Sequence, residues 1–501
     1  MGDEVGYMVK GDTKASGRTR ILFCTYGVML RRLQSDPSLT AIDYIILDEV
    51  HERGIESDFC LALLVEALAR RSKLKIILMS ATIATDKFAS YLGKELHLDR
   101  AVPTMFIPGF TFPVEEFYKK DYEEIVRSYN VNKRRAHASD DYDDDDGMDG
   151  ANDRNNAFGR RRKGDLDYEL IVKLIYQLAN GLSTSATQSY QDSGKLSSCT
   201  TTMLSRASGS ILIFLPGVPE INRLLTLVKE NWQKTESSPE LILISLHGNT
   251  PPSEQKNVFI NAPRGKLKIV AATNVAEASI TIPDATVVID TCKVKEMGFD
   301  AELQTSGLMT KFAAKDSLQQ RRGRAGRVQK GRCFRLITKN TFDKLPFQST
   351  PEILRSPLER VVLQLKAMMS LSAESDGESS RYKSKESLDC LTILRHCPDC
   401  PSEDAIRASE YVLMQLQAIN ADSGRLTSLG QHLAALPCSP RTGRLLIFGA
   451  LLSCVYTSSI VAAAFENRSP FIISNDPEDM EKIKAAKVSI VVSQHEHVAL
   501  L

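Results

Sequence analysis

The sequence lacks several things, and each absence excludes a class of protein. Its longest apolar stretch, Leu445 to Ile460, is interrupted by Gly, Ser, Cys and Thr. No run approaches the roughly 20 apolar residues of a membrane-spanning helix. The opening residues, MGDEVGYMVKGDTK, contain no apolar core segment and are not a signal peptide. Met1-Gly2 begins like a myristoylation site, but Gly6 stands where Ser or Thr is needed. Charge of either sign is not in excess: 63 Lys and Arg face 62 Asp and Glu, so only local clusters can argue for an anionic partner. The ten cysteines are scattered through apolar and loop segments, which fits a reducing, intracellular setting better than a disulfide framework. A phosphate loop is also missing. No G-x-x-x-x-G-K-[ST] occurs, and the nearest text, Gly11 to Thr19 (GDTKASGRT), has the wrong spacing and no lysine after its second glycine. Without that loop there is no nest of backbone N–H groups, no lysine for the β- and γ-phosphates and no metal-binding hydroxyl.

What is present is ordinary globular material, 43% hydrophobic and 25% charged, in 501 residues. That length suits three or four domains. Short apolar strands at Arg20 to Cys24, Ile42 to Leu47 and Lys75 to Met79 alternate with helical segments at Gly27 to Leu33, Leu61 to Ala69 and Asp86 to Leu92. Continuous Ile/Leu runs alternating with helices predict a parallel sheet covered on both faces. From Lys119 the composition changes to an Asp-rich stretch (SDDYDDDDGMDG) and then a basic patch at Arg160 to Lys163. Such a segment predicts a solvated, disordered linker. A second alternation follows a helix at Tyr168 to Leu178: strands at 211–215, 241–245, 268–272 and 287–290, with helices at 220–229 and 253–260. A Ser/Thr-rich stretch, Gly181 to Ser208, reads as a surface insertion. Two such α/β domains on a flexible joint would form a cleft, where ligands bind. After Phe342 helical patterns take over.

Several segments carry chemistry. Asp48-Glu49-Val50-His51 ends a buried strand, where carboxylates face the ligand crevice of a parallel sheet. Two adjacent acids there suit Mg²⁺ held through water by Asp48 and an attacking water polarised by Glu49. A solvated strand-end turn explains the same residues. Ser80-Ala81-Thr82 ends the next strand, where hydroxyls would bond His51 or the acids, or simply cap a helix. The densest signal is Gln320 to Arg327, QRRGRAGR, with four arginines and two glycines in eight residues. Arginine forks onto phosphate oxygens and never loses its charge. A helix would bring Gln320, Arg324 and Arg327 onto one face. That suits a pair of arginine fingers on a γ-phosphate, although a generic nucleic-acid patch has the same composition. Cys390, His396, Cys397 and Cys400 include a CxxC. A zinc knuckle needs a second ligand pair that the sequence does not offer, so plain thiols are the better reading.

These motifs occur in the order found in the DEAH/RHA family of superfamily-two RNA helicases, which the chain resembles. The matching segments are DEVH, SAT, Ala272 to Thr281 (ATNVAEASIT) and QRRGRAGR. Thr25 to Leu30 resembles the family's RNA-backbone motif Ib, Ile213 to Gly217 its motif IV, and Leu246-His247-Gly248 with Gln255 and Phe259 the patch that follows. Lys293 to Lys315 lies where members carry a strand-parting β-hairpin, and Leu426 to Pro440 with Arg468 to Phe471 resembles the helical ratchet. Pro283 stands where many members have Asp, with Asp284 beside it.

The resemblance implies an α/β fold: RecA-like domains at 1–118 and 165–343, a linker at 119–164, a winged-helix segment at 344–400 and a ratchet-like region at 401–501. It implies ATP and Mg²⁺ as cofactors, RNA as partner, no membrane, a cytoplasmic rather than nuclear place, and 3′-to-5′ movement on RNA with duplex unwinding. Asp48 and Glu49 would serve metal and water, with His51 coupling the site onward. Ser80 and Thr82 would relay between ATP and RNA, and Gln320, Arg324 and Arg327 would hold the γ-phosphate. Thr25, Gly27, Thr273 and Asn274 would touch RNA phosphates without reading sequence. The family places its phosphate loop upstream of motif Ib and an OB-fold-like domain beyond the ratchet. The expectation is therefore a chain truncated at both ends; the alternative is a catalytically inactive RNA-binding or scaffolding relative.

Overall fold

The computed structural model describes residues 3–71, 73–81, 85–128, 166–181, 203–232, 238–248, 250–277, 280–300, 305–375, 390–466, 481 and 485. The chain forms two compact units: residues 1–107, 297–307 and 350–501 in the first, 108–296 and 308–349 in the second.

The first unit opens with strand β1 (Val5–Val9), antiparallel to β2 (Asp12–Lys14) and parallel to β3 (Ile21–Cys24). Gly11 makes the tight turn between the first two at φ +84°, a conformation L side chains rarely adopt. Helix α1 (Tyr26–Ser35) follows, then β4 (Tyr44–Leu47), α2 (Ile55–Arg70), β5 (Lys75–Leu78) and α3 (Thr85–Glu95), with β4 and β5 paired in parallel. The strand period of two sends Ile45 and Leu47 into a core shared with Met29, Leu30 and Leu33 of α1 and Phe59, Leu61 and Leu64 of α2. The opposite face is bare. Tyr44, Ile46 and Ile77 are exposed there, so the expected cover on both faces is not seen for this pair. The Ile/Leu run raised that expectation because periodicity cannot say which of two alternating faces has a neighbour.

The second unit is built on a six-stranded sheet in the order β6-β13-β10-β7-β9-β8, with each neighbouring pair parallel. In chain order it comprises β6 (Val114–Tyr118), α4 (Lys119–Ser128), α5 (Tyr168–Asn180), β7 (Ser210–Phe214), α6 (Val218–Asn231), β8 (Glu240–Leu246), α7 (Pro252–Val258), β9 (Lys266–Ala272) and β10 (Ala285–Asp290). The hairpin strands β11 (Lys293–Asp300) and β12 (Thr305–Phe312), of which residues 297–307 fall in the first unit, come next, then α8 (Lys315–Gly323), β13 (Gly331–Arg335) and α9 (Lys339–Asp343). This sheet is covered on both faces. Ile211, Ile213, Ile269, Val287 and Ile289 join one core with α4, α5 and α6, and Leu212, Phe214, Val270 and Val288 join another.

Two boundaries differ from expectation. Residues 114–118, assigned by sequence to the first domain, form the edge strand of the second sheet, and the supposed linker begins as helix α4 with Tyr122 and Val126 fully buried. Six charged residues among the ten of α4 hid its apolar stripe. The Asp-rich and Arg-rich stretches fall outside the described residues, as do 182–202 of the insertion, but Met203 and Leu204 at its end are buried.

The rest of the first unit is helical: α10 (Glu359–Ser375), α11 (Cys390–Leu394), α12 (Glu403–Gln415), α13 (Ser428–Ala435), α14 (Pro440–Leu451) and α15 (Val455–Glu466). Ser402, Thr427 and Ser439 start three of these helices, each accepting a hydrogen bond from the backbone N–H three residues on. Val362, Leu365, Ile406, Leu413 and Leu433 complete the core that holds β4 and α2. No described helix is long and apolar enough to cross a membrane.

The two glycines of QRRGRAGR have different reasons. A Cβ at Gly326 would lie 2.5 Å from the Phe112 carbonyl oxygen and 2.7 Å from Val114, whereas one at Gly323 meets nothing within 4 Å. Gly326→Ala is expected to cost about 1–3 kcal/mol by overpacking against backbone. Gly323→Ala should be neutral or slightly stabilising. Thermal unfolding of the two variants checks this; equal losses would show that the run is not packed against β6 as described.

Candidate functional site

The first unit carries a strained turn at the C-terminal end of β4. Glu49 (φ +53°) and Arg53 (φ +54°) are both left-handed and flank a single 3-10 turn, Val50–Glu52. Non-glycine residues hold that conformation only where neighbours over-determine it. Here the Val50 N–H donates to the Met79 carbonyl (3.1 Å), the Tyr26 hydroxyl donates to the Asp48 carbonyl (2.7 Å), and the Glu352 N–H donates to the Arg53 carbonyl (3.0 Å). Burial pushes the Tyr26 hydroxyl up to about 12, with smaller contributions from Cys60 and Asp48, so it stays a donor.

The turn presents its side chains unequally. Asp48 is exposed; one carboxylate oxygen accepts its neighbour's N–H (2.9 Å), and the other has no cation beside it among the described residues. Glu49 faces the His51 Nδ1 at 3.4 Å. His51 is 4% exposed, its Nδ1 accepts the Ala81 N–H (3.3 Å), and its Nε2 is buried with no partner among the described residues. An accepting Nδ1 puts the proton of a neutral ring on Nε2. The SAT segment thus reaches His51 through a backbone amide, where the sequence suggested hydroxyls. Ser80 is half-buried beside this contact, and Thr82 lies outside the described residues. A carboxylate oxygen free of cations next to a second acid suits a hydrated divalent metal.

Arg53 ties the turn to the helical region. Its guanidinium is forked onto Asp58 (2.9–3.1 Å) and also bonds Asp399, which Lys87 meets at 2.8 Å. Thr25 is an exposed N-cap whose own side chain makes no cap bond, so the first amides of α1 stay open. Gly27 sits in that first turn, and its Cβ would stand 3.3 Å from the Glu56 carboxylate. An open helix N-terminus favours phosphate.

In the second unit the functional residues gather at the C-terminal ends of the strands. Asp290 ends β10 fully buried, with one carboxylate oxygen on Arg321 (3.1 Å) and the other facing Arg335 at 3.8 Å. Arg321 also pairs with Glu277 (3.0 Å) and lies over the Phe214 ring. Arg335 pairs with Glu116 (2.9 Å), which takes Arg322 as well (2.6 Å). Arg324 is buried, with its guanidinium on the carbonyls of Ile280 (2.9 Å) and Glu277. Arg327 is exposed and reaches the Thr281 hydroxyl. All four arginines of the run therefore have partners inside the protein, and three of them hold residues 277–281. The expected single face for Gln320, Arg324 and Arg327 does not form, because α8 ends at Gly323 and a 3-10 turn follows. Gln320 is half-buried. Thr273, whose N–H bonds the Leu246 carbonyl (3.0 Å), and exposed Asn274 follow directly from β9 at the same end of the sheet.

Sequence reasoning missed Arg321, Arg335, Asp290, Glu116 and Glu277 as a set. The available signal was a charged residue closing each of two apolar strands. Asp284, beside Pro283, has a structural place: it accepts from Ser210 (2.9 Å), the Ala262 N–H (3.0 Å) and Lys268 (2.6 Å). Cys390 and Cys397 are buried, burial pushes the Cys397 thiol well above its ordinary value, and His396 bonds Glu95 at 2.5 Å. Among the described residues no three His, Cys, Asp or Glu side chains are grouped to hold a metal ion.

Comparison with known proteins identifies the class. Residues 194–329 match the family model described as helicase conserved C-terminal domain, and 409–438 match the helicase-associated domain (HA2), winged-helix. The winged-helix match covers the end of α12, the antiparallel bridge Ile419–Leu426 and α13. It lies within the stretch expected to be ratchet, beyond the 344–400 expected for the winged helix. An Arabidopsis thaliana protein, DExH-box ATP-dependent RNA helicase DExH1, is 38% identical over 100% of this chain and 47% of its own length. Human ATP-dependent DNA/RNA helicase DHX36 is 34% identical over 97% of this chain and 45% of its own length. The crystal structure of the Escherichia coli DEAH/RHA helicase HrpB matches 98% of this chain and 52% of its own, at TM-score 0.66 and 25% identity. The chain belongs to the DEAH/RHA family of superfamily-two helicases, and it spans about half or less of the curated relatives it matches.

Removing the charge at the centre of the arginine cluster should be costly. Asp290→Asn leaves two buried guanidinium groups under-compensated, an expected loss of about 3–5 kcal/mol in denaturant unfolding. A loss below 1 kcal/mol would contradict the pairing. Glu116 adds a pH test. Burial pushes its carboxyl up, but hydrogen bonds and charges from Arg322 and Arg335 more than reverse this, leaving it below its ordinary value. A carboxylate held lower in the folded than the unfolded state stabilises above its unfolded pKa, and the contribution fades as pH falls through the folded value. Glu116→Gln is therefore less stable than wild type at neutral pH, with a gap that narrows in acid. A pH-independent gap would assign the effect to packing.

Proposed function

We propose that this chain is the core of an ATP-dependent RNA helicase that couples ATP hydrolysis to 3′-to-5′ movement on RNA and duplex unwinding. The observation that carries this reading is the strained Asp48–Glu49 turn, fixed to the end of β5 through Val50 and His51. An acidic pair held off its relaxed backbone geometry, with one carboxylate oxygen free of cations, suits a metal–water site better than a solvated strand end. When bound, Mg²⁺ with ATP supplies charge neutralisation at the phosphates. Asp48 would hold that ion, Glu49 would orient the attacking water and take its proton, and His51, which accepts the Ala81 N–H, packs beside Glu49. Arg327, Gln320 and Arg324 serve the γ-phosphate. The amides of α1 near Thr25 and Gly27, together with Thr273 and Asn274, meet RNA phosphates, a mode that positions without reading sequence. RNA as substrate is supported by the relatives' names and not by any base-reading residue, and a cytoplasmic place of action rests on the family resemblance alone.

The sequence also favours a second reading. With no phosphate loop in its 501 residues, the chain by itself is an RNA-binding helicase relative without turnover. The two readings are separated by measuring ATP hydrolysis with single-stranded RNA. This chain alone is expected to give none above background. A protein joining it to a phosphate loop is expected to show RNA-stimulated, EDTA-sensitive hydrolysis that falls about a hundredfold or more in Glu49→Gln. Unchanged turnover in that variant removes Glu49 from the chemistry, and no RNA-stimulated turnover in the joined protein sinks the helicase reading.

A further inference from the structure

A polar cavity of about 330 Å³ lies in the first unit, lined by Arg31, Gln34 and Ser35 of α1, Arg360 and Gln364 of α10, and the end of α13. Helical spacing explains its composition. Arg31, Gln34 and Ser35 are three and four residues apart, and Arg360 and Gln364 are four apart, so each helix presents one polar face. Ala434 and Ala435 form the third wall and leave room between these long side chains.

The polar part of the lining is rich in donors and holds no anion. Two guanidinium groups and two carboxamides converge, and no carboxylate lines the cavity. Arg31 has no ion-pair or hydrogen-bond partner among the described residues. The nearest carboxylate to Arg360 is Glu56 at 3.8 Å, too far for a hydrogen bond. The Ser35 hydroxyl donates to the Arg32 carbonyl (3.0 Å). The arginines of QRRGRAGR, by contrast, all have close partners within the protein, so Arg31 is the better placed to receive an anion, and Arg360 would give up only its 3.8 Å approach to Glu56. Paired guanidinium groups with planar donors match the oxygens of a phosphate, and the volume is at the lower end for a small-molecule site.

We propose that this cavity binds a small phosphate-bearing ligand of nucleotide size or below, apart from the residues assigned to ATP and RNA. Because α1 runs from Thr25 to this cavity, occupancy would steady the helix that carries the proposed motif Ib contacts; that consequence alone rests on the helicase reading. The test is calorimetric titration of the whole chain with pyrophosphate and, separately, with AMP at about 0.15 M salt, where loose surface attraction is screened. Saturable single-site binding is expected for at least one probe. Arg31→Gln, Arg360→Gln and Gln34→Glu, at two exposed positions and one half-buried position of two different helices, should each weaken it about tenfold or more, with unchanged unfolding temperature. Binding of pyrophosphate alone would make the site one for free phosphates, and binding of AMP one for nucleotides. No saturable binding of either, or binding indifferent to all three variants, overturns the proposal. So does a loss of affinity in these variants for single-stranded RNA only, which would make the cavity part of the RNA path.

Discussion

The second unit depends on one buried carboxylate. Asp290, at the end of β10, sits between Arg321 and Arg335 with no exposure to water, and each arginine has a second acid, Glu277 or Glu116. Desolvating each ion costs several kcal/mol, so such a cluster is weak evidence of stability for its own sake. Its effect is geometric. The cluster joins the end of β10 to α8, the end of β13, the edge strand β6 and the loop after β9, and so fixes the segments from which the proposed nucleotide and RNA contacts project. The Asp290 oxygen facing Arg335 lacks a hydrogen bond, so the fit is incomplete by one contact.

The first unit reaches a comparable end by backbone strain. Two left-handed residues within five positions cost on the order of 1–3 kcal/mol each. The Met79, Tyr26 and Glu352 hydrogen bonds and the Arg53–Asp58 fork hold them in place. Because Asp399 shares that fork, residues beyond α11 help to set the backbone that presents Glu49. The CxxC that resembled a metal knuckle therefore frames Asp399, an acid that lies between its two cysteines.

Much of this was legible in the sequence. The strand-end positions of DEVH, SAT and ATNVAEASIT followed from apolar runs, and the hairpin from family order. What was illegible has physical causes. Helix α4 was hidden by surface charge, and residues 114–118 were placed in the first domain because a parallel partner more than 200 residues along the chain, Gly331 opposite Val114, leaves no local trace. The bare face of β4 and β5 was invisible because alternation tells which residues share a face, not whether that face is covered. The roles within QRRGRAGR could not be separated by composition, since a guanidinium on a carbonyl and one reaching for phosphate are the same residue.

That ambiguity is informative about coupling. Arg327 extends to solvent with one hydroxyl contact, whereas Arg324 is held by two carbonyls of the segment after β9. A phosphate that draws only Arg327 leaves the segment in place. A phosphate that draws Arg324 must release the Glu277 and Ile280 carbonyls, and so loosen the chain that begins at Thr273 and Asn274. If those two residues touch RNA, the same arginine connects nucleotide to nucleic acid through a loop of few residues, with no need for a longer path. In that scheme the arginine run acts as a clasp whose opening is the signal, and the buried Asp290 cluster is the fixed frame against which it opens.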